Sequence, residues 1–188
     1  MTTSADKPIG VYFDPKDCAG FWRRTTAAGI DAAVLWGAWY GLAFGWAAWR
    51  PTTDYQEPTL IFAWFLVIFL YLGVLKASRW GTAGYRLLGL RVVDLRGGRP
   101  SLSRMFLRSF LLVFGFSTGF WLHDLLWTFS LPDRRKLTDL FAGTTVVRAR
   151  ANPEGRGPIV LAYYDVMGYF LIFAEVRRLS KPQRTGRH

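Results

Sequence analysis

Cysteine, histidine and acidic residues are scarce in this 188-residue chain. Cys18 is the one cysteine, so neither an intrachain disulfide framework nor a thiolate metal site is available. The plain reading of Cys18 is an inert thiol, with acylation close to a membrane as the alternative. Of the two histidines, His188 is terminal and His123 has only Asp124 beside it. Adjacent helical residues point about 100° apart, so His123 and Asp124 cannot chelate one ion together, and no metal or other cofactor is expected. A Walker loop, an HExxH pair and a CxxC pair are all missing. The segment Gly81-Thr82-Ala83-Gly84 is too short and too basic in context for a dinucleotide loop. Without a nucleophile–base–acid constellation the chain does not read as an enzyme. Only the His123-Asp124 pair speaks for one acting on lipid.

The scarcity of acids leaves 13 Asp and Glu against 24 Lys and Arg, a net charge of +11. Nucleic acid is the obvious rival partner for such a chain. The basic blocks, however, flank apolar runs instead of forming a separate module. Anionic lipid headgroups therefore account for them, and no nucleic acid is expected. Residues 1–20 are polar and contain Asp6, Asp14 and Asp17, so no cleavable signal peptide is expected there.

What the chain has in abundance is apolar sequence: 51% of residues are hydrophobic and 17% aromatic. A helix needs about 20 apolar residues to cross the hydrocarbon core. Residues 25–49 exceed that, interrupted only by Asp31, and Arg50-Pro51 ends the run. Residues 59–75 form a second, shorter run, with Tyr71 near its end and Trp80 beyond as interfacial aromatics. The loop at 52–58 carries only Asp54 and Glu57, whereas residues 76–104 carry seven basic residues against Asp94. The positive-inside rule then puts the N-terminus and 76–104 in the cytoplasm and 52–58 outside.

The third run, 105–129, has basic sequence at both ends and Gly115, Ser117, Thr118 and Gly119 in its middle. A re-entrant helical hairpin is favoured over a single span, provided other protein covers its backbone. The β-branched stretch Thr144-Thr145-Val146-Val147-Arg148 would then pair with Leu90-Arg91-Val92-Val93-Asp94 as a small cytoplasmic hairpin-like element. The turn Arg96-Gly97-Gly98-Arg99-Pro100 follows the second of these. Residues 159–176, with basic flanks and with Asp165 and Glu175 inside, read as an interfacial or membrane helix. The expected fold is an α-helical membrane protein. Its expected parts are a cytoplasmic N-terminal segment (1–20), a membrane domain (21–150) and a C-terminal apolar helix with a basic tail (151–188).

Asp31 is the sharpest chemical signal, because a carboxylate inside a membrane helix is costly and marks function by default. Arg24 lies seven positions earlier, on nearly the same helix face but about 10 Å away, too far for a direct pair. Asp31 either handles a cation or proton, or pairs with a basic residue of another segment and locks the bundle. Asp124 is a second candidate proton acceptor, and Arg108 lies one turn inside the third run, where it can snorkel. Gly29, Ala33, Gly37, Gly41 and Gly45 recur every four residues, a small-residue ridge that admits another helix closely. That ridge serves either packing within the chain or an oligomer.

Three segments resemble the RDD family of bacterial membrane proteins. Phe21-Trp22-Arg23-Arg24-Thr25-Thr26-Ala27-Ala28-Gly29-Ile30-Asp31 is similar to its first motif, which makes Arg24 the family arginine and Asp31 its first aspartate. Gly81-Thr82-Ala83-Gly84-Tyr85-Arg86-Leu87-Leu88-Gly89-Leu90-Arg91-Val92-Val93-Asp94 resembles the middle motif. Arg134-Arg135-Lys136-Leu137-Thr138-Asp139-Leu140-Phe141-Ala142-Gly143-Thr144 resembles the last, with Asp139 as the second aspartate. Gly29 and Thr138 depart from the family's usual residues without removing a named charge. The resemblance implies a multi-pass protein of the bacterial cytoplasmic membrane, with Arg24 and Asp139 on the cytoplasmic side. The position of Asp139 just after Arg134-Arg135-Lys136, at the membrane surface, adds the expectation that it pairs with Arg24. The resemblance implies little about activity beyond the transport, including cation–proton exchange, proposed for some members. Two expectations follow. The chain transports a cation or proton-coupled ligand through Arg24, Asp31, Asp124 and Asp139, or it is a non-catalytic accessory subunit, assembling with itself or with other membrane proteins.

Overall fold

In a computed structural model, residues 8–49, 58–117, 119, 124, 126–129, 133–166 and 169–178 are described. The chain opens with strand β1 (Ile9–Tyr12) and passes directly into α1 (Phe21–Trp49). Helix α2 (Pro58–Phe69) continues through a π-helical stretch, Leu70–Leu75. Then come the short α3 (Ala83–Leu87), β2 (Leu90–Asp94), α4 (Leu102–Ser117), a 3₁₀ turn (Trp127–Phe129), α5 (Leu137–Ala142) and β3 (Thr144–Arg148). Two long strands, β4 (Gly155–Val166) and β5 (Tyr169–Val176), complete it.

Two helices, Phe21–Trp49 and Pro58–Leu75, are long and apolar enough to cross a membrane. They contribute little to the core. Leu60 is buried on α2, but Trp36, Phe44, Trp49, Phe62 and Phe65 all stand exposed. On α1 only Arg24, Ala27 and Asp31 are buried, a stripe at i, i+3 and i+7 in the first three turns. Apolar surface of this extent needs lipid or another protein around it.

The core lies in a layer below these helices. Strands β2 and β3 pair antiparallel, with Leu90 opposite Arg148 and Asp94 opposite Thr144, the pairing expected from the two β-branched stretches. Ala19, Ala27, Tyr85, Leu90, Val92, Met105 and Val146 pack into one cluster on this pair. Residues 17–19 run along its free edge: the Ala19 amide donates to Val146 O at 2.9 Å and the Arg148 amide to Asp17 O at 2.9 Å. Because β2 and β3 bracket the third run, both ends of that run sit on one sheet. Helix α4 stops at Ser117, within the small-residue cluster, and Gly119 has a φ of +75°, a conformation that closes helices.

The C-terminal run corrects the sequence reading. Residues 159–176 are not a helix. They form most of a β-hairpin in which Ile159 faces Val176 and Val166 faces Tyr169. A continuous apolar run does not distinguish helix from buried strand by periodicity, and this one is rich in Val, Ile, Tyr and Phe. Its inner face places Phe173 against Leu137 and Leu140, with Trp127, Tyr164 and Leu171 around them. Leu161, Tyr163, Phe170 and Ile172 form the exposed outer face. Of the two internal acids, Glu175 accepts a hydrogen bond from Tyr164 Oη at 2.6 Å. The basic tail beyond Arg178 lies outside the described residues.

Strand β1 pairs with β4, giving a three-stranded sheet in the order β1-β4-β5. The N-terminal segment and the C-terminal hairpin therefore build one unit. Gly10 is needed there, since an added Cβ would come within 2.7 Å of Leu95 O. The Val11 amide in turn donates to that same carbonyl at 2.8 Å, joining this sheet to the β2 side.

Candidate functional site: two buried carboxylate clusters on one face of the first helix

Asp31 is 3% exposed, and its carboxylate is engaged from all sides. Oδ1 accepts from the Gly84 amide at 2.8 Å and from Tyr71 Oη at 3.0 Å. Oδ2 accepts from Thr82 Oγ1 at 2.8 Å and lies 3.9 Å from Lys76 Nζ. Tyr71 Oη itself accepts from the Ala83 amide at 3.1 Å. The first two free amides of α3 thus meet Asp31 directly and through tyrosine, as in a helix cap supplied by another segment. Gly84 makes this approach possible, because a Cβ there would fall 2.1 Å from Ala27 O. The Asp31 carboxylate thus ties α1 to α3 and to the π-helical end of α2.

Two helical turns toward the N-terminus, at Arg24, a second cluster forms around Asp139, which is fully buried. Arg24 donates to Asp139 Oδ2 through Nη1 and to Ala19 O through Nε at 2.8 Å. Arg108 Nη2 lies 2.8 Å from Asp139 Oδ1, and its Nη1 donates to Thr144 Oγ1 at 3.3 Å. The Lys136 amide donates to Asp139 Oδ2 at 3.2 Å, so the carboxylate also caps its own helix, α5. Burial pushes the Asp139 carboxyl up, but Arg108 and Arg24 outweigh it and hold the group well below the usual carboxylate range. The Arg24–Asp139 pair expected from the position of Asp139 is therefore present, and Arg108 joins it from inside the third run.

Between the two clusters lies a cavity of about 60 Å³ whose polar wall is Arg24, Lys76, Tyr85, Arg108, Asp124 and Lys136. Asp124 Oδ1 accepts from the Thr138 amide at 2.7 Å, while Oδ2 stands 3.9 Å from Lys136 Nζ. Burial, opposed by Asp124 and reinforced by Arg24, pulls the Lys136 ammonium below its ordinary value. Lys76 Nζ sits 4.1 Å over the Tyr85 ring. The structure thus brings Arg24, Asp124 and Asp139 together and sets Asp31 one step away, linked through Lys76.

Those contacts and the family comparison agree. The RDD family model matches residues 18–143, which carry both carboxylates and the three motifs as far as Gly143. The chain belongs to the RDD family. No curated protein and no solved structure matches it. As an RDD membrane protein its named arginine and two aspartates, Arg24, Asp31 and Asp139, all serve contacts between distant segments. Tyr71, Thr82, Gly84, Lys76 and Lys136 escaped sequence reasoning. The only hint was the Gly81-to-Gly84 loop, whose small residues mark a close backbone approach.

The remaining candidates resolve less. His123 lies outside the described residues. Among the described residues no three His, Cys, Asp or Glu side chains gather as a metal site would require. Cys18 is buried, and burial, aided by Asp133, pushes its thiol up to about 11, which matches an inert thiol. At Gly29, Gly37, Gly41 and Gly45 an added Cβ would meet nothing within 4 Å among the described residues.

Proposed function

We propose that this protein is a non-catalytic assembly subunit of the bacterial cytoplasmic membrane. In this reading α1 docks another membrane helix, and the buried charges hold the docking helix on its cytoplasmic base. The observation that carries the proposal is the open ridge at Gly29, Gly37, Gly41 and Gly45, four glycines with free space at every Cβ position. Small residues at four-residue spacing let helix backbones approach closely, where van der Waals packing drives association in lipid. The partner is a second copy of this chain or another membrane subunit. Anionic headgroups meet the arginine-rich cytoplasmic face.

Native mass spectrometry of protein extracted in mild detergent tests this. The wild type is expected as an oligomer or a defined complex, and Gly37→Ile with Gly41→Ile is expected to release a folded monomer. A wild-type chain that runs as a lone monomer would count against the proposal.

Transport through Asp31 is the second reading, favoured by the charged cavity beside it. It is disfavoured by the donors from the chain itself that already surround that carboxylate. Proteoliposomes with an internal pH dye separate the two readings. Transport requires a cation-dependent pH change that Asp31→Asn abolishes.

The topology follows the charge pattern, with the third run re-entrant and residues 144–150 cytoplasmic. In a Cys18→Ser background, an impermeant maleimide added to intact spheroplasts is expected to label Thr53→Cys. Arg150→Cys should react only after lysis. Labelling of Arg150→Cys from outside would place β3 on the other side and remove the re-entrant reading.

A further inference from the structure

The cavity between the two carboxylate clusters carries an unbalanced charge. Its wall supplies four cations, Arg24, Lys76, Arg108 and Lys136. The carboxylates that face them are three: Asp139 with Arg24 and Arg108, Asp31 with Lys76, and Asp124 with Lys136. Four against three leaves one positive charge. Arg24, Asp31, Arg108, Asp124 and Asp139 are buried and Lys76 and Lys136 half-buried, and an uncompensated charge in such a place is expensive. Hydrogen-bonding capacity is also left over: among the described residues the buried donor Arg24 Nη2 has no partner, and neither has the acceptor Asp124 Oδ2, which stands 3.9 Å from Lys136 Nζ.

We propose that this cavity binds one small monovalent anion of about chloride size. A volume near 60 Å³ accommodates such an ion with a water beside it, since a water occupies about 30 Å³ of liquid. One negative charge balances the excess. The guanidinium groups of Arg24 and Arg108 and the ammonium groups of Lys76 and Lys136 supply the donors. Asp124 in the same wall sets an upper limit on the ligand's charge, because a divalent anion would overcompensate and be repelled. The Arg24–Asp139–Arg108 cluster then belongs to a larger neutral set, closed by an exchangeable ion. The rival solution is an empty or water-filled cavity in which Lys136 gives up its proton, the direction in which burial already moves it.

The experiment uses the full chain in lipid nanodiscs prepared in sodium gluconate. Chloride or bromide is titrated in at constant ionic strength, and the thermal unfolding midpoint is read by tryptophan fluorescence. A saturable upward shift is expected with chloride and bromide, and none with sulfate. Lys136→Met removes one of the four cations, bringing the count to three against three, and is expected to weaken halide affinity at least about tenfold. X-ray fluorescence of wild-type protein gel-filtered in bromide is expected to give one bromide per chain. That measurement stands whether or not the variant folds. A midpoint indifferent to halide, no retained bromide, or a halide effect that Lys136→Met leaves unchanged overturns the site.

Discussion

Replacing Asp139 with alanine should cost the fold more than any other single charge removal, about 3–5 kcal/mol. The reason is arithmetic as much as geometry. Asp139 stands between Arg24 and Arg108, and all three are buried. Deleting the acid leaves two guanidinium groups facing each other without water. It also strips the Lys136 amide of its acceptor. Deleting one arginine instead leaves a balanced pair, so Arg24→Met should be clearly milder than Asp139→Ala. For a chain of this size the larger loss corresponds to a fall of about 10 °C or more in unfolding midpoint. Asp139→Ala within about 2 °C of wild type would show that the cluster carries no such energy. The same residue sets a pH dependence. Its folded pKa is depressed, so its stabilisation is complete above the unfolded value of about 3.9 and is lost as pH falls below that toward the folded value. Acidification from pH 5 to pH 3 should destabilise the wild type, and Asp139→Asn should lack that part of the slope.

Gly84→Ala is the second large effect, and it involves no charge. The new methyl group would lie 2.1 Å from Ala27 O and 2.8 Å from its carbonyl carbon. Both are backbone atoms of α1, so no rotamer change relieves the overlap. Helix α3 must retreat by about an ångström, which pulls the Gly84 amide and Thr82 hydroxyl off Asp31. A buried carboxylate without its donors adds the cost of unmade hydrogen bonds to that of overpacking, roughly 3 kcal/mol or more together. Size-exclusion of a fluorescent fusion should show most of the variant aggregated. Gly98→Ala, where the added Cβ comes no nearer than 3.6 Å to Asp94 Oδ1, should elute and melt like wild type. A monodisperse Gly84→Ala protein with an unchanged midpoint would mean that α3 does not rest on α1 as described.

The two helices long and apolar enough to cross a membrane were legible because length and hydropathy are local properties. So was the β2–β3 pairing, since Val92, Val93, Val146 and Val147 announce strands and basic sequence on both sides of residues 105–129 keeps them together. The partners of Asp31 were not legible: Tyr71, Thr82 and Gly84 lie 40 to 53 residues away and carry no charge to flag them. Arg24 and Asp139, 115 residues apart, were connected only through the family motifs together with the position of Asp139 just after Arg134-Arg135-Lys136. The hairpin β4–β5 was misread for a different reason. Its two apolar faces, one against Leu137 and Leu140 and one outward, erase the alternation that distinguishes a strand, and the summed hydropathy then resembles a helix.

The order of the three-stranded sheet has a consequence for biosynthesis. Ile9 leaves the ribosome well before Pro158, its partner across the ladder. At about 5–20 residues per second that delay is on the order of ten seconds, long enough for both hydrophobic helices to be inserted first. Strand β1 must wait at the membrane surface with its edge unsatisfied until the hairpin arrives. Closure of this sheet is therefore a late event in maturation, and a chain truncated before residue 155 would display an orphan strand for quality-control proteases to recognise.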